Sequence, residues 1–201
     1  KNQEKSSSSV SLPPINLLRH PEIKASEIVI HNGRLHIKEK AALVAAAQRE
    51  VIEVGVRLKT FADYFKNRSD DEYSIPFLEA IQRGVIFKCC LLNPDSDIAK
   101  IYFEDRSKFD DEEFNSPTVI RGVIKQLLKL SKEFEEAGYS GKLEIYTYDS
   151  IPCNHFFSVD GGTEHAKIFI SLYVHSIQRA KSPVLEFTYQ KHRYCYDLYW
   201  K

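Results

Sequence analysis

The sequence predicts an α/β domain with a mixed β-sheet flanked by helices. Three observations lead there. Residues 39 to 92 read helix, strand, helix, strand, which requires a crossover and a parallel strand pair. A long amphipathic pattern follows from Ser116 to Gly138. The last third then carries three or four short strand-like runs separated by turn residues, the mark of antiparallel pairing.

Taken in order, Lys1 to Pro14 holds Ser6-Ser7-Ser8-Ser9 and Pro13-Pro14, a polar linker or tail extending over residues 1–25, with the domain spanning 26–201. Ile28-Val29-Ile30, Asn32-Gly33 and Leu35-His36-Ile37 predict a hairpin with a tight Asn-Gly turn. Glu39 to Arg49 is alanine-rich and helical, with Leu43, Val44 and Ala47 on one face. Val51 to Val56 is a short β-branched run, a buried strand.

A helix is expected over Ser74 to Gly84, with Pro76 in its first turn and Gly84 as its stop. Val85 to Leu92 forms the next strand, ended by Asn93-Pro94-Asp95, and the acidic run Asp105 to Asn115 reads as a solvated loop. Ser116-Pro117 opens the clearest helix, carrying Val119, Ile120, Val123, Ile124, Leu127, Leu128 and Leu130. Strands are expected at Leu143 to Tyr148, His155 to Val159, Ile168 to Val174 and Val184 to Tyr189, with a turn at Asp160-Gly161-Gly162. Tyr194, Leu198 and Tyr199 predict a docked aromatic helix at the end.

Composition bounds the function. Lys+Arg and Asp+Glu both number 28, so no overall basic field argues for nucleic acid or an anionic membrane. Cys89, Cys90, Cys153 and Cys195 lack paired zinc spacing, and the adjacent pair inside an apolar run reads as buried thiols. No apolar run has membrane-spanning length and no signal sequence is present, so a cytoplasmic location is expected. Methionine is absent, which reads as a piece of something longer. There is no Gly-rich phosphate loop and no Ser-His-Asp candidate, and the sequence calls for no cofactor and no metal.

The segment with the most chemistry in it is Cys153-Asn154-His155-Phe156-Phe157-Ser158-Val159-Asp160. Its spacing, Cys153-x-His155-x4-Asp160, resembles the His-x-Lys-x4-Asp strand of phospholipase D-type phosphodiesterases. Phe77 to Phe87, with Arg83-Gly84-Val85 inside it and Leu91-Leu92-Asn93-Pro94 behind, resembles the helix-to-strand passage of the same family. The similarity covers roughly residues 39 to 190. It extends to the non-catalytic, sensory C-terminal half of some bacterial helix-turn-helix regulators.

The resemblance implies a phospholipase D-like half-unit that pairs as a homodimer, follows a DNA-binding domain, and binds a small phosphate-containing or nucleotide-like ligand. In the family the histidine attacks phosphorus, the lysine binds phosphate oxygens and the acid supports the histidine. Here cysteine and histidine stand at the first two positions, so a regulatory module is expected in place of an enzyme. Catalytic, ligand-binding and purely structural readings of Cys153 and His155 all stay open. If activity persists, His155, Cys153 and Asp160 carry it. Asp160 has its own bland reading, a turn aspartate bonding its own backbone.

Further pocket candidates are Asn93, at the carboxyl end of a parallel strand where open α/β sheets bind ligands, together with His165, Lys167 and Ser171. His36-Ile37-Lys38 and His165-Ala166-Lys167 also match His-x-Lys, but position eight is Leu43 and Leu172 respectively, so neither completes the motif. Tyr146, Tyr148, Phe156 and Phe157 read as core or dimer-face residues. Three function classes result: a ligand-sensing regulatory domain, a divergent metal-independent phosphodiesterase or nuclease, and a protein-interaction or dimerisation module.

Overall fold

The computed structural model describes residues 28–66, 71–107, 116–173 and 181–200. The elements are β1 (Val29–His31), α1 (Ile37–Ala46), β2 (Glu50–Gly55), α2 (Lys59–Lys66), α3 (Asp71–Gln82), β3 (Ile86–Leu92), α4 (Asp97–Arg106), α5 (Pro117–Glu136), β4 (Lys142–Tyr148), β5 (Asn154–Val159), β6 (Lys167–Leu172), β7 (Val184–Thr188) and α6 (Arg193–Trp200). The seven strands form one sheet in the order β1-β7-β6-β5-β2-β3-β4. The β2–β3 and β3–β4 pairs are parallel and every other pair is antiparallel. The protein is therefore α/β with a mixed sheet, parallel toward one edge and antiparallel toward the other.

The helix signals act as expected at α5. Ser116 caps it by accepting from the Thr118 N–H, Pro117 opens it, and Ile120, Val123, Leu127 and Phe134 are buried at helical spacing. Its chain reverses at Gly138, which has φ +69°. The larger core lies between the sheet and the helices, where Phe61, Tyr73, Phe77, Phe87, Phe134 and Phe157 are buried with Val51, Leu91 and Leu127. On the opposite sheet face Ile168, Ile170 and Phe187 pack with Cys195 and Tyr196 of α6.

Several expectations are corrected. There is no hairpin at 28–37: β1 pairs with β7, while His36 is the N-cap of α1. His36 accepts from the Lys38 N–H and the Glu39 carboxylate accepts from the His36 N–H, a capping box whose cap residue falls outside the usual Ser, Thr, Asp and Asn set. α3 starts at Asp71, so Pro76 lies inside the helix, where its missing N–H leaves one ladder bond unmade.

Two helices were not expected from the sequence. α2 follows Leu58, a buried residue at φ +47°, and α4 is capped by Ser96. α6 docks through Cys195, Tyr196 and Trp200, with Tyr199 stacked on Phe187 at its edge, while Tyr194 and Leu198 are exposed. The expected linker over 1–25 and the acidic run 108–115 lie outside the described residues. No helix among the described residues is long and apolar enough to cross a membrane.

Candidate functional site

Strand alternation places the site. Glu53 pairs with Phe157 across β2–β5, His155 with Ser171 and Phe157 with Phe169 across β5–β6, and Ser171 with Val184 across β6–β7. Directly opposed residues share a face, and so do residues two apart on one strand. Glu53, His155, Phe157, Phe169, Ser171 and Val184 therefore form one floor. Over it lie Leu35 and Lys40 at the start of α1 and Thr60 and Phe61 of α2, enclosing a cavity of about 80 Å³. Gly55 lets the imidazole settle there, because a Cβ on it would meet His155 Cδ2 at 3.0 Å and Leu58 Cδ2 at 2.8 Å.

At the heart of the cavity stands Glu53, a carboxylate 4% exposed. A buried carboxylate requires partners, and two side chains serve it: Lys40 Nζ donates to Oε2 at 2.7 Å and His155 Nε2 donates to Oε1 at 3.0 Å. Burial is the largest single influence on its pKa and pushes it up. The Lys40 charge and the His155 hydrogen bond and charge outweigh burial, holding Glu53 well below the usual carboxylate range. The Lys40 ammonium also sits 4.9 Å from the Phe157 ring centroid, 5.6 Å from Tyr73 and 5.8 Å from Phe61. Ser171, 4% exposed, has an Oγ with no hydrogen-bond partner among the described residues. Buried hydroxyls are normally paired, with protein or with ordered water, and this one faces the cavity.

The expected site residues divide. His155 and Ser171 line the polar cavity. Asp160 does not: its carboxylate accepts from the backbone N–H groups of Gln48, Arg49 and Glu50, at 2.8 to 3.2 Å, so it ties the β5–β6 turn to the start of β2. That differs from an aspartate bonding its own turn. With His165 and Lys167 it lines a second, larger cavity beside α1. His165 is exposed and 3.4 Å from Glu164, and Lys167 lies 3.4 Å from Glu186.

Cys153 is exposed at the mouth of β5, its thiol 3.5 Å from the Ile151 carbonyl, and it lines neither cavity. Asn93 is engaged in turn chemistry, donating to Asp149 and accepting from the Asp95 N–H, and is also outside both. Cys89 is buried opposite Glu53, and burial first, then the Glu53 charge, push its thiol well up, which keeps it protonated and inert.

Sequence reasoning missed Glu53 and Lys40. Glu53 had a signal: a glutamate inside Val51-Ile52-Glu53-Val54 is a charge in a buried strand, and such charges are paired. Lys40 had none, since a lysine in an exposed-looking helix turn is ordinary.

No protein-family model matches the chain, and no curated protein matches it. Among solved structures, TrmBL2, an archaeal chromatin protein described as showing a novel mode of DNA binding, aligns with a TM-score of 0.43 and 16% identity. The alignment covers 89% of this chain and 51% of that one, so the chain spans about half the length of that structure.

Proposed function

We propose that this chain is a non-catalytic ligand-sensing domain, a phospholipase D-like half-unit that binds the phosphate group of a small ligand and regulates an attached domain. The observation that carries the reading is the buried Lys40–Glu53–His155 cluster beside the unpartnered Ser171 hydroxyl, all on one cavity. Arg34, Lys40 and His155 line that cavity together with the Ser171 hydroxyl, and donors converging on a partly buried site favour an anion. Homodimer formation and a preceding DNA-binding domain belong to the same proposal and rest on the residue pattern at 77–94 and 153–160.

One observation favours the phosphodiesterase reading: Glu53 orients an imidazole, as a supporting acid would. Against it, no second cation lies on the motif strand and the thiol of Cys153 is outside the cavity. Hydrolysis of a generic phosphodiester and of single-stranded DNA with EDTA present decides between them, using the native chain and His155→Gln, which keeps a donor for Glu53. No turnover in either is expected, together with a melting temperature that climbs with phosphate concentration in the native chain and stays flat in Ser171→Val. Turnover lost in His155→Gln would overturn the reading in favour of an enzyme.

A further inference from the structure

The polar cavity is too small for a whole metabolite. One water needs about 10–15 Å³ by the same measure, so 80 Å³ admits a few waters or one oxyanion. The larger cavity measures about 560 Å³, within the roughly 300–1,000 Å³ of small-molecule sites. Leu35 and Phe169 line both, so the two spaces lie on either side of the same two side chains.

Building on the proposed function, we infer that the two cavities are one composite site and that its ligand is a phosphorylated sugar or polyol. The phosphate occupies the small cavity, and the hydroxyl-bearing body occupies the large one. The lining of the large cavity fits hydroxyl groups. The Glu186 carboxylate, 2.9 Å from His31 Nε2 and 3.4 Å from Lys167 Nζ, sets acceptors and donors side by side on the sheet floor. Lys167 stands there against the carboxylates of Glu39, Asp160 and Glu186, so the lining is acidic on balance and a second phosphate has no claim to it.

The opposite wall is α1, which presents exposed Ala42 and Ala46 and allows a flat body to approach the helix closely. The only phenyl ring in the lining, Phe169, is 3% exposed and lies under His31, 6.0 Å between ring centroids. Its ring is covered by His31, and the donors and acceptors of the floor match hydroxyl groups, which favours a sugar phosphate over a nucleotide.

The test is titration of the full chain by calorimetry with inorganic phosphate, ribose 5-phosphate, free ribose and adenosine monophosphate. Ribose 5-phosphate is expected to bind at least tenfold more tightly than phosphate. Ala42→Trp, on an exposed helix surface where folding is undisturbed, fills the large cavity and removes that advantage while changing phosphate binding less than twofold. Glu186→Gln removes it without added bulk, and Ser171→Val weakens both ligands.

Equal affinity for ribose 5-phosphate and phosphate, or an advantage untouched by Ala42→Trp and Glu186→Gln, overturns the composite site and leaves the phosphate reading standing. Adenosine monophosphate binding tighter than ribose 5-phosphate overturns the sugar assignment. Failure of all four ligands to bind the native chain removes the underlying reading as well.

Discussion

The two ends of β5 each hold a buried carboxylate, and the two are used in opposite ways. At one end Asp160, 7% exposed, accepts from three consecutive backbone N–H groups at the start of β2. At the other, His155 meets Glu53, 4% exposed, whose partners are side chains only. Backbone donors are fixed wherever the chain goes, so a carboxylate satisfied by them has become part of the fold. Lysine and histidine side chains have alternative rotamers, so a carboxylate satisfied by them can respond to an arriving ligand. The motif spacing that ties His155 to Asp160 in sequence therefore spans an end held by side chains and a structural end held by the backbone.

The difference is sharpest at Glu53. Glu53→Ala leaves Lys40 and the site uncompensated, and breaking a buried ion pair this way costs about 3–5 kcal/mol. Urea unfolding is expected to show that loss, and Glu53→Gln a smaller one, with the phosphate-dependent rise in melting temperature lost in both. The pH dependence has a definite sign. Because the folded-state pKa lies below the unfolded value, Glu53 contributes stability above the ordinary carboxylate range, near pH 4.3, and that contribution drains away as pH falls below it. Native protein should thus lose stability more steeply below about pH 5 than Glu53→Gln; parallel acid profiles would show that Glu53 is not paired in solution.

Asp160→Ala comes next. It orphans a set of N–H groups of which the Glu50 donor is buried, for an expected loss of about 2–3 kcal/mol at about 1–3 kcal/mol per unsatisfied group. Asp160 has φ +51°, a conformation asparagine tolerates, so Asp160→Asn should cost less. In both variants the stabilisation by phosphate should persist. Its loss in Asp160→Asn would break the division between the two ends of the strand.

Much of this fold was legible because its signals are local. Ser116-Pro117 with Gly138 framed α5, and a β-branched run and an apolar run, each behind a helix, gave β2 and β3 with their parallel pairing. The hairpin at 28–37 failed because alternation over so few residues does not outweigh a capping box, and because the true partner of β1 lies about 155 residues away in β7. The site was half legible. His155 and Ser171 were found by pattern on one sheet, whereas Lys40 reaches Glu53 only through the packing of α1 on that sheet, which no spacing in the sequence encodes.

The smallest expected effect lies just past the structural end. Gly161 packs so closely on α6 that a Cβ there would collide with the indole of Trp200, the only tryptophan in the chain. That helix is otherwise held by Tyr196, which stacks on Trp200 at 5.9 Å and accepts from the Gly162 N–H at 2.9 Å. Gly161→Ala must therefore lift the end of α6, with a loss of about 1–3 kcal/mol as for other overpacking changes. The single-tryptophan fluorescence should shift to the red as the indole is exposed. The His155 cavity opens on the opposite sheet face from α6, so phosphate stabilisation should be unchanged. A variant that moves the fluorescence and also abolishes the phosphate effect would show that the two ends of β5 are mechanically coupled, and that α6 is part of how a bound ligand is read out.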